Sequence, residues 1–563
     1  MILKIMKNDE ILKPRKKLKK IAVIVLILCL AFCLRLWLLV NTDDFHGVSN
    51  GRIIRAQLIL KNDLPRGEWY SPVHPPVHLL LLMGGIKAFN NPVVISRVIS
   101  LIFGVLLLLP FYYCVKFLFD EQAAVFSMLA VSLYSEHVVY SVIATSETCF
   151  HFFLFLSLFL LLSSFGKKSA KYLLSSALCL GAASLCRYEG LLFIPLFAFA
   201  LKKDLKHCAL FAAAALIAPV IWMFINFTYS GDPLQFINTN DFTVPLQFGW
   251  IRAQGQDMGI LRKAMFWPKS LIDTLGYGVF FFGIAGIAYS LFKKERMFMA
   301  LLFCFLIVVF IFRTIEEKLY VQERYAITIG LLLIPYSIFI ISKIIASLRK
   351  HNLKVTGIMT LLLIASMIPS LKQRILAAPL YAPLFAKQTA AYMRENIKEG
   401  DNIILDHCGD EKYREPIKVL SGINPKQFVL MPYLVPCDGQ WLADREMFFN
   451  VLKEAKVNIL IYSPRGDLKD ILNLEERGEQ AIIGDFKFSL LYPACFETPG
   501  FKTGDESKSA GFPLETPGFP RGMQSIPGTK SSKFLQNFRG SPDELHSGKP
   551  YFIYSVERIG NEK

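Results

Sequence analysis

Residues 13–44 read KPRKKLKK, then IAVIVLILCLAFCLRLWLLV, then NTDD, and the order of those three pieces decides the architecture. The basic run 13–20 precedes an apolar block, 21–40, about as long as the ~20 residues a helix needs to cross a bilayer. A secretory leader would carry a shorter apolar core and small residues at a cleavage point. Here the block keeps its full length and stops at Asn41-Thr42-Asp43-Asp44, so it reads as a retained first span with its N-terminus in the cytoplasm.

The rest of the chain has the same character. Of 563 residues, 53% are hydrophobic and 19% charged, against about 25% charged in soluble domains. Further candidate spans, several of them short, lie at 93–118, 123–135, 149–163, 172–185, 191–201, 208–227, 271–292, 297–312, 326–345 and 355–368. With the first span they predict a mainly α, polytopic chain of about 11 crossings. The formal charge of +17 fits basic loops against anionic membrane lipid, and gives no reason to expect nucleic acid.

Loop charge supplies sidedness. With the N-terminus inside, the cytoplasmic turns hold Lys116, Lys167-Lys168, Lys202-Lys203, Lys293-Lys294-Glu295-Arg296 and Arg349-Lys350. The facing turn 136–147 has no Lys or Arg, which is the positive-inside pattern. Counting the short apolar stretch 75–89 as a full span would invert every later loop. It is therefore expected to lie in the interface or to re-enter. Segments 41–91, 136–147, 229–269 and 313–325 then face outward, as does the tail.

The expected division is a basic N-terminus (1–20), a transmembrane domain (21–371) and a small extracytoplasmic α/β domain (372–563). The last has helices near 386–397 and 444–455 and strands near 402–406, 458–463, 487–492 and 551–558. A Gly/Pro/Ser-rich stretch, 497–549, repeats Glu-Thr-Pro-Gly-Phe at 497–501 and 515–519 and reads as a flexible insertion. Cys408, Cys437 and Cys495 lie in this tail, and their spacing fixes no disulfide. No CxxC pair or His/Cys cluster suggests zinc, and no Walker loop or GxGxxG suggests a nucleotide.

Ionisable groups beside hydrocarbon are expensive, so their placement is informative. Asp43 and Asp44 suit a general base or a cation ligand, and a solvated helix boundary accounts for them equally well. Glu147 closes an outer turn that also holds Glu136 and His137, although Ser146 and Glu147 would serve as an ordinary helix start. Arg187 in Arg187-Tyr188-Glu189-Gly190 has Glu189 as a ready partner. Arg324 in Gln322-Glu323-Arg324-Tyr325 stands at a span entrance, where its planar fork suits phosphate oxygens. His74, before Pro75-Pro76, suits the same group or an anchoring role.

In this order the motifs resemble the GT-C glycosyltransferases, in particular the dolichyl-phosphate-mannose protein mannosyltransferase and lipid A aminoarabinose transferase group. The likeness runs from the first span to about Tyr336. It rests on Asp43-Asp44, His74-Pro75-Pro76, Ser96-Arg97-Val98-Ile99-Ser100, Lys116-Phe117-Leu118-Phe119, Tyr140-Ser141 with Ser146-Glu147, Arg187-Tyr188-Glu189-Gly190 and Glu323-Arg324-Tyr325. Phe45 and Val142 depart from it, Val142 standing where many relatives have arginine.

The resemblance implies sugar transfer from a polyprenyl-phosphate-linked donor to an extracytoplasmic acceptor, at the plasma (inner) membrane. Asp43 or Asp44 would be the general base, Glu147 would orient the acceptor or a divalent metal, and Arg324, His74 and Arg187 would meet the donor phosphate. No organic cofactor is implied, and metal dependence stays open. Two other readings stand beside it: a flippase of lipid-linked saccharides, and a glycan ligase or polymerase using a diphosphate carrier.

Overall fold

The computed structural model describes residues 14–44, 46–61, 74–89, 91–167, 169–202, 204–253, 258–348, 353–376, 380–382, 384–406, 411–429, 445–462, 468–474, 477, 479–493 and 552–559. The insertion 497–549, Phe45 and the three tail cysteines lie outside them.

Apolar blocks become helices where a cap or proline marks a start. Helix α1 (Pro14–Asn41) ends at the acidic pair, and the His46 ring, accepting from the Ser49 N–H at 3.4 Å, opens α2 (Gly47–Leu60). Next come α3 (Pro76–Ala88), α4 (Pro92–Leu106, capped by Asn91), α5 (Leu108–Leu118), α6 (Glu121–Leu133, capped by Asp120) and the short α7 (Ser135–Tyr140). Then follow α8 (Glu147–Lys167), α9 (Ala170–Ser184), α10 (Phe193–Ala200), α11 (Leu205–Ser230), α12 (Gln235–Ala253), α13 (Ile260–Leu275), α14 (Tyr277–Lys293) and α15 (Met297–Ile315). After a 3-10 turn at Glu323–Tyr325, α16 (Ala326–Leu348), α17 (Leu353–Ala365) and α18 (Ile368–Ile375) end the series.

Among the described residues, seven helical stretches are long and apolar enough to cross a membrane, starting with Lys20–Asn41, Pro92–Leu118 and Glu147–Phe165. Of the other expected crossings, 123–135, 191–201 and 271–292 fall on shorter apolar helices, and 172–185 on α9. Helix α3 has 13 residues, about 20 Å of rise against about 30 Å of hydrocarbon. The bundle packs α8 on α9, α9 on α11 and α14 on α16 around buried Phe111, Phe150, Phe155 and Tyr336. Some buried polar groups in it pair with one another, as where the Trp267 indole donates to Thr314 at 2.8 Å.

Two compact units divide the chain. The second contains α19 (Leu384–Asn396), β1 (Ile403–Leu405), α21 (Arg445–Glu454), β2 (Ile459–Tyr462), α22 (Lys469–Leu472), β3 (Gln480–Ile483), β4 (Phe486–Pro493) and β5 (Phe552–Arg558). Its sheet runs β1-β2-β5-β4-β3, parallel only between β1 and β2, and Phe448 and Leu452 of α21 pack with Leu460, Phe488 and Tyr554. Tail residues Glu411–Lys426 instead join the membrane helices in the first unit. Their helix α20 (Glu411–Ser421) packs on α2, with Ile417 buried, so the expected boundary at 372 does not describe how the chain divides.

Candidate active site

The turn after α1 is tied down before any chemistry is considered. Arg97 of α4 donates from Nε to the Val142 carbonyl (2.8 Å) and from Nη1 to the Leu39 and Thr42 carbonyls (3.0 and 2.7 Å). Its Nη2 reaches the Thr42 hydroxyl at 2.8 Å. A guanidinium thus stands beside Val142 after all, delivered from another helix and bonded to backbone. It joins the turn carrying the acidic pair to the turn leading into α8.

Within that frame the two aspartates differ. Asp44 is buried, 4% exposed, and both its oxygens are used. The Ser49 hydroxyl and the Ala144 N–H (2.9 Å) donate to Oδ2, and the His46 N–H donates to Oδ1 at 3.3 Å. Asp43 is half-buried and accepts the Ala382 N–H at 3.1 Å. Burial raises the Asp44 pKa, against the pull of the Ala144 and Ser49 bonds and of Arg97. A raised folded-state pKa favours the protonated form, so the linked stability is present below the ordinary aspartate range and is lost as pH rises through the raised value. Asp44→Asn is therefore expected to gain stability relative to wild type as pH rises through that window, read as thermal midpoints across a pH series. A constant difference would contradict it.

Three residues beyond Ala144, Glu147 opens α8 almost fully buried, 1% exposed. Its Oε1 meets Arg187 Nη1 at 2.6 Å and Arg324 Nη1 at 3.6 Å. Ser146, which would cap this helix, has a hydroxyl without a hydrogen-bond partner, so the helix-start reading does not account for the pair. Arg187 also meets Glu189 at 2.6 Å and lies 4.7 Å over the Tyr325 ring. Burial works against its charge, but Glu189 and Glu147 outweigh that and hold its pKa well above the usual arginine value. Gly190 ends this motif for a packing reason: a Cβ there would come within 2.6 Å of the Ser184 backbone.

Sequence reasoning missed Arg52 altogether. It lies in the electrostatic field of Glu147, Arg187 and Arg324, and its Nη1 is 3.0 Å from His78 Nδ1. Burial lowers its pKa to about 10. His74 joins this field through Arg52, Arg55 and Arg324, and burial first, then those cations, keep its ring neutral at ordinary pH. His46 is likewise neutral, its pKa lowered to about 3 by burial and by Arg324. Four guanidinium groups (Arg52, Arg55, Arg187 and Arg324) against Glu147 and Glu189 leave positive charge in excess. Around it, Arg374 joins Glu136 to Glu323, and Arg35 meets His137 at 2.9 Å. All six residues expected to form the site thus fall into two adjoining clusters, linked through Ala144 and through His46, which faces both the Tyr140 ring (6.0 Å) and Arg324.

A divalent cation does not fit this donor set. Glu147 already answers two arginines with a third nearby, and among the described residues no group of three or more His, Cys, Asp or Glu could hold a metal.

The helical architecture is similar to that of solved membrane glycosyltransferases. ArnT from Cupriavidus metallidurans bound to undecaprenyl phosphate is 14% identical, covering 82% of this chain and 96% of its own, with a TM-score of 0.54. The Archaeoglobus fulgidus oligosaccharyltransferase in complex with Zn and sulfate is also 14% identical, covering 78% of this chain and 68% of its own, with a TM-score of 0.51. At that identity the likeness is one of fold. Residues 73–223 match the family described as dolichyl-phosphate-mannose-protein mannosyltransferase, a stretch with His74, Glu147 and Arg187 inside it and Asp43, Asp44 and Arg324 outside. No curated protein matches the chain. The GT-C resemblance read from the sequence is met by the family match over residues 73–223 and by the fold of the solved structures.

Proposed function

We propose that the protein transfers a sugar from a polyprenyl-phosphate-linked donor to an acceptor outside the cytoplasm, at the plasma (inner) membrane. The observation that carries this reading is the buried arginine cluster around Glu147, joined through Ala144 to the corner that holds Asp43 and Asp44. Turns from well-separated parts of the chain meet there, in keeping with the expectation that they share one face. ArnT with undecaprenyl phosphate bound supports the donor class. The Archaeoglobus fulgidus oligosaccharyltransferase tethered with an acceptor peptide supports a separate acceptor as the second substrate.

Asp43 takes the proton as the acceptor oxygen bonds to the anomeric carbon. The bond from that carbon to the phosphate oxygen breaks, polyprenyl phosphate leaves with the electron pair, and the anomeric centre inverts. Asp44, with both oxygens committed, positions the turn. Arg324 stabilises the charge growing on the phosphate, with His74 as a neutral donor beside it. Arg187 is held by Glu147 and Glu189 and fixes the carboxylate that orients the acceptor.

The test is release of polyprenyl phosphate from a polyprenyl-phosphate sugar by the purified protein. Arg324→Ala is expected to lower kcat/KM for the donor by about 10²–10³-fold. Movement of the donor across vesicles without release would make the protein a flippase, and turnover of a diphosphate carrier alone would make it a ligase.

A further inference from the structure

Helices α2 and α3 bring Arg52 and His78 together at 3.0 Å, and neither residue is accounted for by the scheme above. A guanidinium can only donate, so His78 Nδ1 must accept from Arg52. The single ring hydrogen of His78 then sits on Nε2. That atom is buried without a hydrogen-bond partner, and so are Nε of Arg52 and Nε of Arg324. Buried N–H groups are almost always paired, so three such atoms in one electrostatic cluster call for a ligand. Arg52 interacts with Arg324, Arg187 and Glu147, and His78 with Arg52 and Glu147.

The chemistry of the leftover atoms defines what completes them. All three are donors, in a cluster with positive charge in excess, so the missing partner is an anion with several oxygens. Glu147 Oε2 is also without a hydrogen-bond partner, and as a carboxylate oxygen it repels an anion on its own side. The anion is therefore placed toward α2 and α3.

We propose that Arg52 and His78 act as one unit that binds a phosphate oxygen of the lipid-linked donor, Arg52 fixing the tautomer in which His78 presents Nε2–H. This rests on the glycosyl-transfer reading and adds two binding residues to it. His78 works as a neutral donor of fixed direction, and Arg52 is at once its positioning residue and a phosphate ligand. A phosphate headgroup of an ordinary phospholipid offers the same oxygens, so the experiment separates the two sources.

Binding of a polyprenyl monophosphate to the full-length protein in detergent, with phosphatidylglycerol as competitor, tests the idea. His78→Asn keeps an acceptor for Arg52 but loses the donor that faces the phosphate. His78→Gln keeps a donor near the Nε2 position. The expected result is that His78→Asn and Arg52→Gln each weaken binding by about tenfold to a hundredfold. His78→Gln should recover most of the loss, which keeps folding defects apart from lost contacts. Wild-type binding left unchanged by Arg52→Gln and His78→Asn would overturn this inference and leave the glycosyl-transfer reading intact. Equal competition by phosphatidylglycerol would overturn the assignment to the donor. A wild-type protein that binds no polyprenyl phosphate and releases none from the sugar donor would overturn both.

Discussion

Asp43→Asn is expected to lower the rate of sugar transfer by about 10²–10⁴-fold, the usual contribution of a positioned general base, while polyprenyl phosphate still binds. The reason lies in how the adjacent carboxyls are held. Asp44 answers the Ser49 hydroxyl and the His46 and Ala144 N–H groups, so its lone pairs are taken up by its own turn and the turn before α8. Asp43 is the more accessible of the two and is anchored by the Ala382 N–H. Single-turnover transfer measured beside donor binding separates loss of the base from loss of the site. A rate within threefold of wild type in Asp43→Asn would move the proton acceptor elsewhere.

The largest effect on stability is expected at Glu147. Glu147→Gln leaves Arg187 with Glu189 alone and Arg324 without its carboxylate, both close to buried. Removing one partner of a buried ion pair costs about 3–5 kcal/mol, because the remaining charge has lost its compensation. The thermal midpoint of the purified protein should fall sharply. Added polyprenyl phosphate should raise the midpoint of Glu147→Gln by more than that of wild type, since an anion can replace part of the missing charge. An unchanged midpoint would show that water or neighbouring groups already screen the arginines.

The residues legible in the sequence were those that violate an apolar pattern at its edge. Asp43-Asp44, Glu147, Arg187 and Arg324 all stand where a helix leaves or enters hydrocarbon, and their cost there is visible in one dimension. Arg52 carried no such signal. It sits in the polar stretch 41–91, where an arginine is unremarkable until α2 folds beside α3. His78 lies within an apolar run and carries no motif, whereas His74 is marked by Pro75-Pro76. The Ala144 N–H could not be read at all, because every residue but proline has one. Arg97 belongs to a sequence motif, but its four bonds depend on two turns meeting beside α4. The fold was legible through block length and loop charge. The return of Glu411–Ser421 to the membrane helices was not, because its apolar face is defined only by α2.

That return imposes an order on biogenesis. Chain synthesis delivers α2 long before α20, so in a newly made protein the face of α2 that carries Arg52's helix stays uncovered until roughly 350 further residues have emerged, following N-terminal-first folding. Insertion of the last span does not finish the molecule. Helix α2 needs a piece of chain made long after it, so a protease or a premature stop just after Ala382 would strip packing from a helix more than 300 residues upstream.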